Sequence, residues 1–298
     1  MVDLHPASVD LEDVYPGEGR CWTTLQRQAG LDVPPAGPDD QRIERALCRM
    51  LHLNDVKRID GLQRLLYQDS PPEADPDDVA QRRLLVLLGY VRIPYEHMLQ
   101  AWKNLWQSPA LRQELLELLD VLADRIRSLT WRLEGALATL PLLVHARYSL
   151  DEIMVSVDER SSKGGLKRIQ TGVYYVERHR ADLLFITLEK SERDYTPTTL
   201  YNDYPLSEQR FHWETQSNCH AGTPTGRRYL EAAEGAANHV LMFVRQRRHD
   251  SRGETMPYLF LGPAYYRTHR GARPMQIEFA LKYPMPAEFY QEVKVAAG

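Results

Sequence analysis

From residue 40 onward apolar residues recur at intervals of three and four, the spacing of helices that bury one face. Ile43, Leu47, Met50 and Leu51 form a first stripe, with Asp39 or Asp40 placed as N-cap. "NDVKRIDGLQRLLYQ" reads as a second helix, with Asn54 as its cap and Ile59, Leu62, Leu65 and Leu66 as its stripe. "VAQRRLLVLLGYV" predicts a third. "IPYEHMLQAWKNLWQ" predicts a fourth, with Pro94 in its first turn. The strongest pattern is "SPALRQELLELLDVLADRIRS", with Ser108 as N-cap, Pro109 at the first helical position and leucines at 111, 115, 116, 118, 119 and 122. The residues before 30, including "CWTTLQRQAG", show no such period and read as irregular. Near residue 140 the period changes. "LPLLVHARYSLDEIMVSV" reads as a short extended run and then a small helix from Ser149. "TGVYYVE", "ADLLFITLEK", "HVLMFVRQRR", "MPYLFLGPAYYRTH" and "RPMQIEFALKYP" are strand candidates, short, rich in aromatic or β-branched residues and divided by turns. The pattern predicts an α+β protein: a helical domain over residues 1–143, then a β-rich domain over 144–298 built on an antiparallel sheet or an open barrel.

Composition narrows the setting. Hydrophobic residues are 43% of the 298, enough for a sizeable core. The three cysteines, Cys21, Cys48 and Cys219, lie far apart without metal-ligand spacing, which suits a reducing cytoplasm. No signal peptide opens the sequence, and no apolar run is long enough to span a bilayer, so no membrane partner is expected. The net charge is −4, yet residues 208–282 hold 11 Lys and Arg against 7 Asp and Glu, a local +4. That excess fits a phosphate-binding patch as well as an ordinary solvated surface.

The motifs of several enzyme classes are missing. GxxxxGK[ST] occurs nowhere, and "SSKGGLKR" has its residues in the wrong order, so no ATPase is expected. "DEIM" at Asp151 is better explained as acids in the first turn of a helix. A PD-(D/E)xK nuclease needs a Glu and a Lys on one strand face, whereas Glu189 and Lys190 are neighbours and point apart; Asp182 would be the third member. HExxH and CxxC are absent, so neither a metal site nor a cofactor is expected. One segment differs in kind. Tyr195, Tyr201, Tyr204, Phe211 and Trp213 interleave with Lys190, Arg193, Asp203 and Arg210, and "TPTGRRYL" adds Arg227, Arg228 and Tyr229. At its centre "FHWETQS" shows neither helical nor strand periodicity. Aromatics among cations and amides suit stacking on bases and contact with phosphates. They equally suit a loop tied down by its tyrosine hydroxyls and an indole.

The run "TLEKSERDYTPTTLYNDYPLSEQRFHWETQS…TGRRYL…VLMFVRQRR…PYLFLGPAYYRTHRGARPMQIEFALKYPMPA" resembles domain of unknown function 3427. That domain closes many bacterial superfamily 2 (DEAD/DEAH-type) helicases, some of which carry a phospholipase-D-type nuclease. The likeness extends from "VHARYSLDEI" to "MPAEF", about half of the chain. The helical half also resembles the region that precedes the domain in such helicases, through "CWTTLQRQAGL", "LCRMLHLNDVKRID" and the leucine-rich helix. Thr215 stands where the family usually has Ser, "NCHAGTPTG" replaces a Ser/Thr-rich loop, and the His that often follows "RYI" is absent after Leu230. These departures bear on the ligand rather than on the family.

The resemblance implies DNA handling in restriction or phage defence. The expected role is a non-catalytic DNA-binding or DNA-sensing module, able to read a modified base, with a helicase or nuclease as partner in cis or in trans. Its site residues would be Tyr201, Tyr204 and Trp213 for stacking and Glu214 and Gln216 for a base edge, beside His212, Ser217 and Tyr229. Arg227, Arg228, Arg245 and Arg247 would contact phosphates. One alternative is a nuclease using His212 and Glu214, with Asp203 or Glu189, on Mg²⁺. The other is a protein-interaction module that docks on a helicase.

Overall fold

The computed structural model describes residues 10–17, 19–90, 97–162, 164–169, 171–189 and 203–297. It divides into two compact units that interleave along the chain. The first is Met1–Ser128 with Leu150–Arg168, and the second is Leu129–Ser149 with Ile169–Gly298.

The first unit is helical: α1 (Leu11–Val14), α2 (Trp22–Gln28), α3 (Asp40–Leu47), α4 (Val56–Leu66), α5 (Val79–Leu87), α6 (Met98–Trp106), α7 (Pro109–Asp124) and α8 (Leu150–Ser156). The predicted stripes form its core, with Ile43, Leu47, Ile59, Leu62, Leu115 and Leu119 fully buried. Pro94 lies outside the described residues. Asp55, one residue after Asn54, caps α4 by accepting from the Arg58 N–H at 2.7 Å. Ser108 stands at the N-cap of α7 as expected, but its hydroxyl turns back to the Asn104 carbonyl at 3.2 Å.

The reading of "CWTTLQRQAG" as irregular is corrected, because it contains α2. The Cys21 side chain caps nothing there. Instead the buried Glu114 carboxylate of α7 accepts the Trp22 and Thr23 N–H groups at 2.6 and 2.8 Å, satisfying the first amides of α2 with a charge from 91 and 92 residues away. Burial and the nearby Glu114 also push the Tyr15 phenol well above its ordinary value.

α8 joins this unit through buried charge. Arg58 donates to Glu152 at 2.7 Å, and His52 Nε2 lies 2.7 Å from the other carboxylate oxygen. Glu152 is fully buried, and Arg58 also pairs with Asp55 at 3.0 Å. Arg82 reaches Asp158 at 2.6 Å, and Arg83 reaches the Ser156 hydroxyl at 2.7 Å. Two apparently amphiphilic helices, α4 and α5, thus carry arginines that point inward to meet a distant segment.

The second unit contains β1 (Trp131–Arg132), β2 (Leu143–Val144), β3 (Arg147–Tyr148), β4 (Val173–Val176), β5 (Ala181–Thr187), β6 (Tyr204–Ser207), β7 (Arg210–Glu214), β8 (His239–Arg245), β9 (Tyr258–Arg270) and β10 (Gln276–Leu281), with α9 (Pro224–Leu230) and α10 (Ala287–Ala297). Seven strands lie in the order β4-β5-β8-β9-β10-β7-β6, and β3 pairs with β9 as the eighth. The sheet is mixed, since β5 and β8 run parallel while the other ladders are antiparallel. The α+β architecture holds, a helical N-terminal region followed by a sheet-rich part. Among the described residues the edge strands β4 and β6 do not pair with each other, so the sheet is open.

The sheet changes character across its width. All seven residues of β5 are buried, Asp182 and Thr187 among them, as in a strand covered on both faces. Phe185, Phe243 and Phe260 stack across three strands at 5.4 and 4.5 Å between centroids. β7 and β10 instead alternate between buried and open positions. "FHWETQS" therefore has strand periodicity after all. Phe211, Trp213 and Thr215 point into the core, while His212, Glu214 and Gln216 are only half-buried. The polar identity of Thr215 and Gln216 hides the alternation in the sequence. Among the described residues no helix is long and apolar enough to cross a membrane.

Candidate nucleic-acid interface

The open face lies where β6, β7, β10 and the end of β9 meet. Register fixes its rows, because directly paired residues project to the same side. Tyr204, His212, Glu278 and Thr268 form one row, and Glu214, Gln276 and Arg270 form the next. Tyr204 is 40% exposed and stacks on the His212 ring, with centroids 4.7 Å apart and planes 24° from parallel. Gln276 donates to Glu214 at 3.0 Å, and Arg210 donates to Glu278 at 2.7 Å. His212 Nε2 lies 4.0 Å from Glu214, and Asp203 accepts the Glu214 N–H at 3.0 Å. An exposed tyrosine ring backed by a half-buried histidine therefore borders an amide and two carboxylates, groups that can stack on a planar ligand and bond its edge. β6 is short, with Pro205 inside it, as an edge strand tolerates.

The structure separates the other expected site residues. Trp213 is buried at 5% exposure, meeting Tyr229 edge-to-face at 5.2 Å and lying 6.1 Å from Phe279. Both Trp213 and Tyr229 are core residues, which corrects the contact roles expected of them: a side chain sealed beneath the sheet has no face to offer a base. "TGRRY" lies in α9, which is capped by the Thr223 hydroxyl accepting from the Gly226 N–H at 3.0 Å. Gly226 is required there, since a Cβ would meet the His220 carbonyl oxygen at 2.0 Å.

Arg228 is corrected too. It clamps Asp182 with two bonds of 2.7 and 2.8 Å and lies 3.8 Å over the Tyr175 ring, fastening α9 to the sheet. Burial raises the Asp182 carboxyl above its ordinary range, and Arg228 opposes that shift. Arg245 is buried against Tyr258, donating to the Thr187 hydroxyl at 3.0 Å and the Met256 carbonyl at 3.2 Å. Arg227 and Arg247 are exposed, Arg227 reaching the Gly222 carbonyl. Gln216 and Ser217 lie past the end of β7, where the chain turns. Tyr201, with Lys190, Arg193 and Tyr195, lies outside the described residues.

The nuclease alternative needs carboxylates and His212 around one ion. Glu189 instead accepts from Gln246 at 2.7 Å, and Asp203 holds the β7 backbone. Among the described residues no group of three or more His, Cys, Asp or Glu could hold a metal.

Sequence reasoning missed Gln276, Glu278 and Arg270, which complete the open face. The signal was present in "QIEFAL", whose alternation marks Gln276 and Glu278 as outward. What was missing was the pairing of β10 with β7.

A family model described as "Domain of unknown function (DUF3427)" matches residues 142–293, about half of the chain. Comparison with curated proteins returns no match.

Proposed function

The chain belongs to the family of domain of unknown function 3427, and from that membership and the open sheet face we propose that it is a non-catalytic DNA-binding or DNA-sensing module. The observation that carries this reading is the exposed Tyr204 ring stacked on His212 beside Gln276 and Glu214. Stacking supplies affinity for any base, and the amide and carboxylate supply groups for a base edge, including a modified one. An unpaired or flipped base fits this surface better than a closed duplex, because its ring must lie flat on Tyr204. The resemblance of both halves of the sequence to the C-terminal part of bacterial helicases supports a helicase or nuclease as the partner, in cis or in trans. Cytoplasmic restriction or phage defence is the context that follows from it.

The test is a binding panel of plain duplex, single strand and duplexes with modified bases or phosphorothioate linkages, at two salt concentrations. Affinity tighter than about 10⁻⁴ M at low salt, falling as salt rises, is the expected result. Tyr204→Ala should cost roughly 1–3 kcal/mol of binding free energy with an unchanged circular dichroism spectrum. The reading fails if no member of the panel binds at that level, or if Tyr204→Ala binds like the wild type.

A further inference from the structure

β9 continues six residues beyond the point where its burial ends at Ala264. This projecting half and the connection to β10 carry Arg267, Arg270 and Arg273, all exposed. Between Glu254 and Glu278 the sequence has no acidic residue. None of the three arginines pairs with a described residue, unlike four other arginines of the same unit. Arg210 is held by Glu278, Arg228 by Asp182, Arg252 by Asp250, and Arg245 is buried against Thr187 and Tyr258. A cluster of like charges without counter-ions costs some self-repulsion and contributes nothing to folding, so its use lies outside the chain.

We propose that this hairpin end is a clamp for the phosphodiester backbone of a nucleic-acid strand. Arg267, Arg270 and Arg273 hold the phosphates while the bases cross the open face toward Tyr204 and His212. The proposal rests on the DNA-binding reading and assigns that reading its electrostatic part. The open face alone cannot supply it, because Glu278 holds the charge of Arg210 and Glu214 adds a negative charge of its own.

Two features make the hairpin a fixed support. At its base the Thr215 N–H donates to the Met275 carbonyl at 2.9 Å, and the Met275 N–H donates to the Thr215 hydroxyl at 3.0 Å. At its tip Gly271 takes φ +72°, where a Cβ would meet the Pro274 carbonyl oxygen at 2.9 Å. The register of β9 on β10 also slips between Glu278 and Phe279. Arg267 is left without a partner in the ladder at this bulge and is exposed. The same register places Thr268 in the row of Tyr204 and His212, and Arg270 in the row of Gln276 and Glu214. Three strand spacings, roughly 14 Å, separate Tyr204 from Thr268. One short single strand can therefore touch the aromatic pair and the arginines on a continuous surface.

The experiment measures anisotropy of a fluorescein-labelled single-stranded DNA 20-mer on the full chain, from 50 to 200 mM salt. Replacing all three arginines by alanine should weaken binding about tenfold or more at the lowest salt. It should also flatten the slope of log affinity against log salt by about 2, the loss of three phosphate contacts on a single strand. The matching triple lysine variant should keep most of the slope, and Tyr204→Ala should weaken binding at unchanged slope. A wild type that binds, with a triple alanine variant of equal slope, overturns the clamp and leaves the DNA-binding reading standing. A wild type that binds no DNA overturns both.

Discussion

The helical unit and the sheet unit use charge in opposite ways. In the helical unit Arg58, Arg82, Glu114 and Glu152 are almost fully buried, each held by a partner brought from far along the chain. In the sheet unit the core is aromatic and aliphatic, and Arg267, Arg270 and Arg273 stand in solvent without partners. A buried charge is tied to one geometry, because removing its partner strands it in a medium that solvates it poorly. An exposed and unmatched charge leaves the fold indifferent and is available to a ligand. The contrast separates arginines that hold the molecule together from arginines that can act on something else, and composition cannot make that distinction.

Substitutions at four places test the contrast. Glu152→Ala leaves Arg58 in the helical unit with Asp55 alone, removes the carboxylate partner of His52, and should lower stability by about 3 kcal/mol, read from chemical denaturation. A loss below about 1 kcal/mol would show that the buried network does not hold that unit.

Arg228→Met tests the exception in the sheet unit, a clamped pair whose carboxylate is buried. It should cost about 3 kcal/mol, below the top of the range for a buried pair because Arg228 keeps 19% exposure. The loss should depend on pH. Without Arg228 the Asp182 carboxyl rises further above its ordinary 3.8, so the folded variant binds a proton more tightly than the unfolded chain does. Its deficit against the wild type should therefore be smallest below that value and grow as pH rises through the raised one. Urea midpoints of both proteins at several pH values read this out, and a pH-independent deficit would contradict the assignment.

Thr215→Val removes the hydroxyl that receives the Met275 N–H in the buried base of the hairpin. It should cost about 1–3 kcal/mol, and Thr215→Ser about 1 kcal/mol or less. A larger loss in Thr215→Ser than in Thr215→Val would assign the role to the methyl group instead. The smallest effect belongs to the triple alanine variant of Arg267, Arg270 and Arg273, which should leave stability within about 0.5 kcal/mol of the wild type. A larger change would mean that the hairpin arginines are structural, and the comparison would collapse.

Local pattern was enough to locate most elements. The stripes of α3 to α7 and the strands β4, β5, β8, β9 and β10 follow from spacing that each segment carries within itself. The failures have specific causes. α2 has no signal at its start because its cap is Glu114, 91 residues from Thr23. β7 was illegible because Thr215, which follows it, is polar yet fully buried, its hydroxyl satisfied by the Met275 N–H and the Cys219 carbonyl. At the candidate site, Tyr204, His212 and Glu214 were legible as chemistry-bearing residues. Trp213, Tyr229, Arg228 and Arg245 were misplaced because residue type says nothing about which side of a strand or helix is covered.

The sequence by itself determined the helical-then-sheet order, the apolar stripes and the concentration of aromatic and basic residues beyond residue 200. Those are local quantities, set by the chemistry and spacing of neighbours. Tertiary structure decided which charges are paired, which aromatics are sealed, and which strands lie side by side. Register across β6, β7, β10 and β9 joins residues from 204 to 278 into one face, and that alignment arises only when separate strands share their backbone hydrogen bonds.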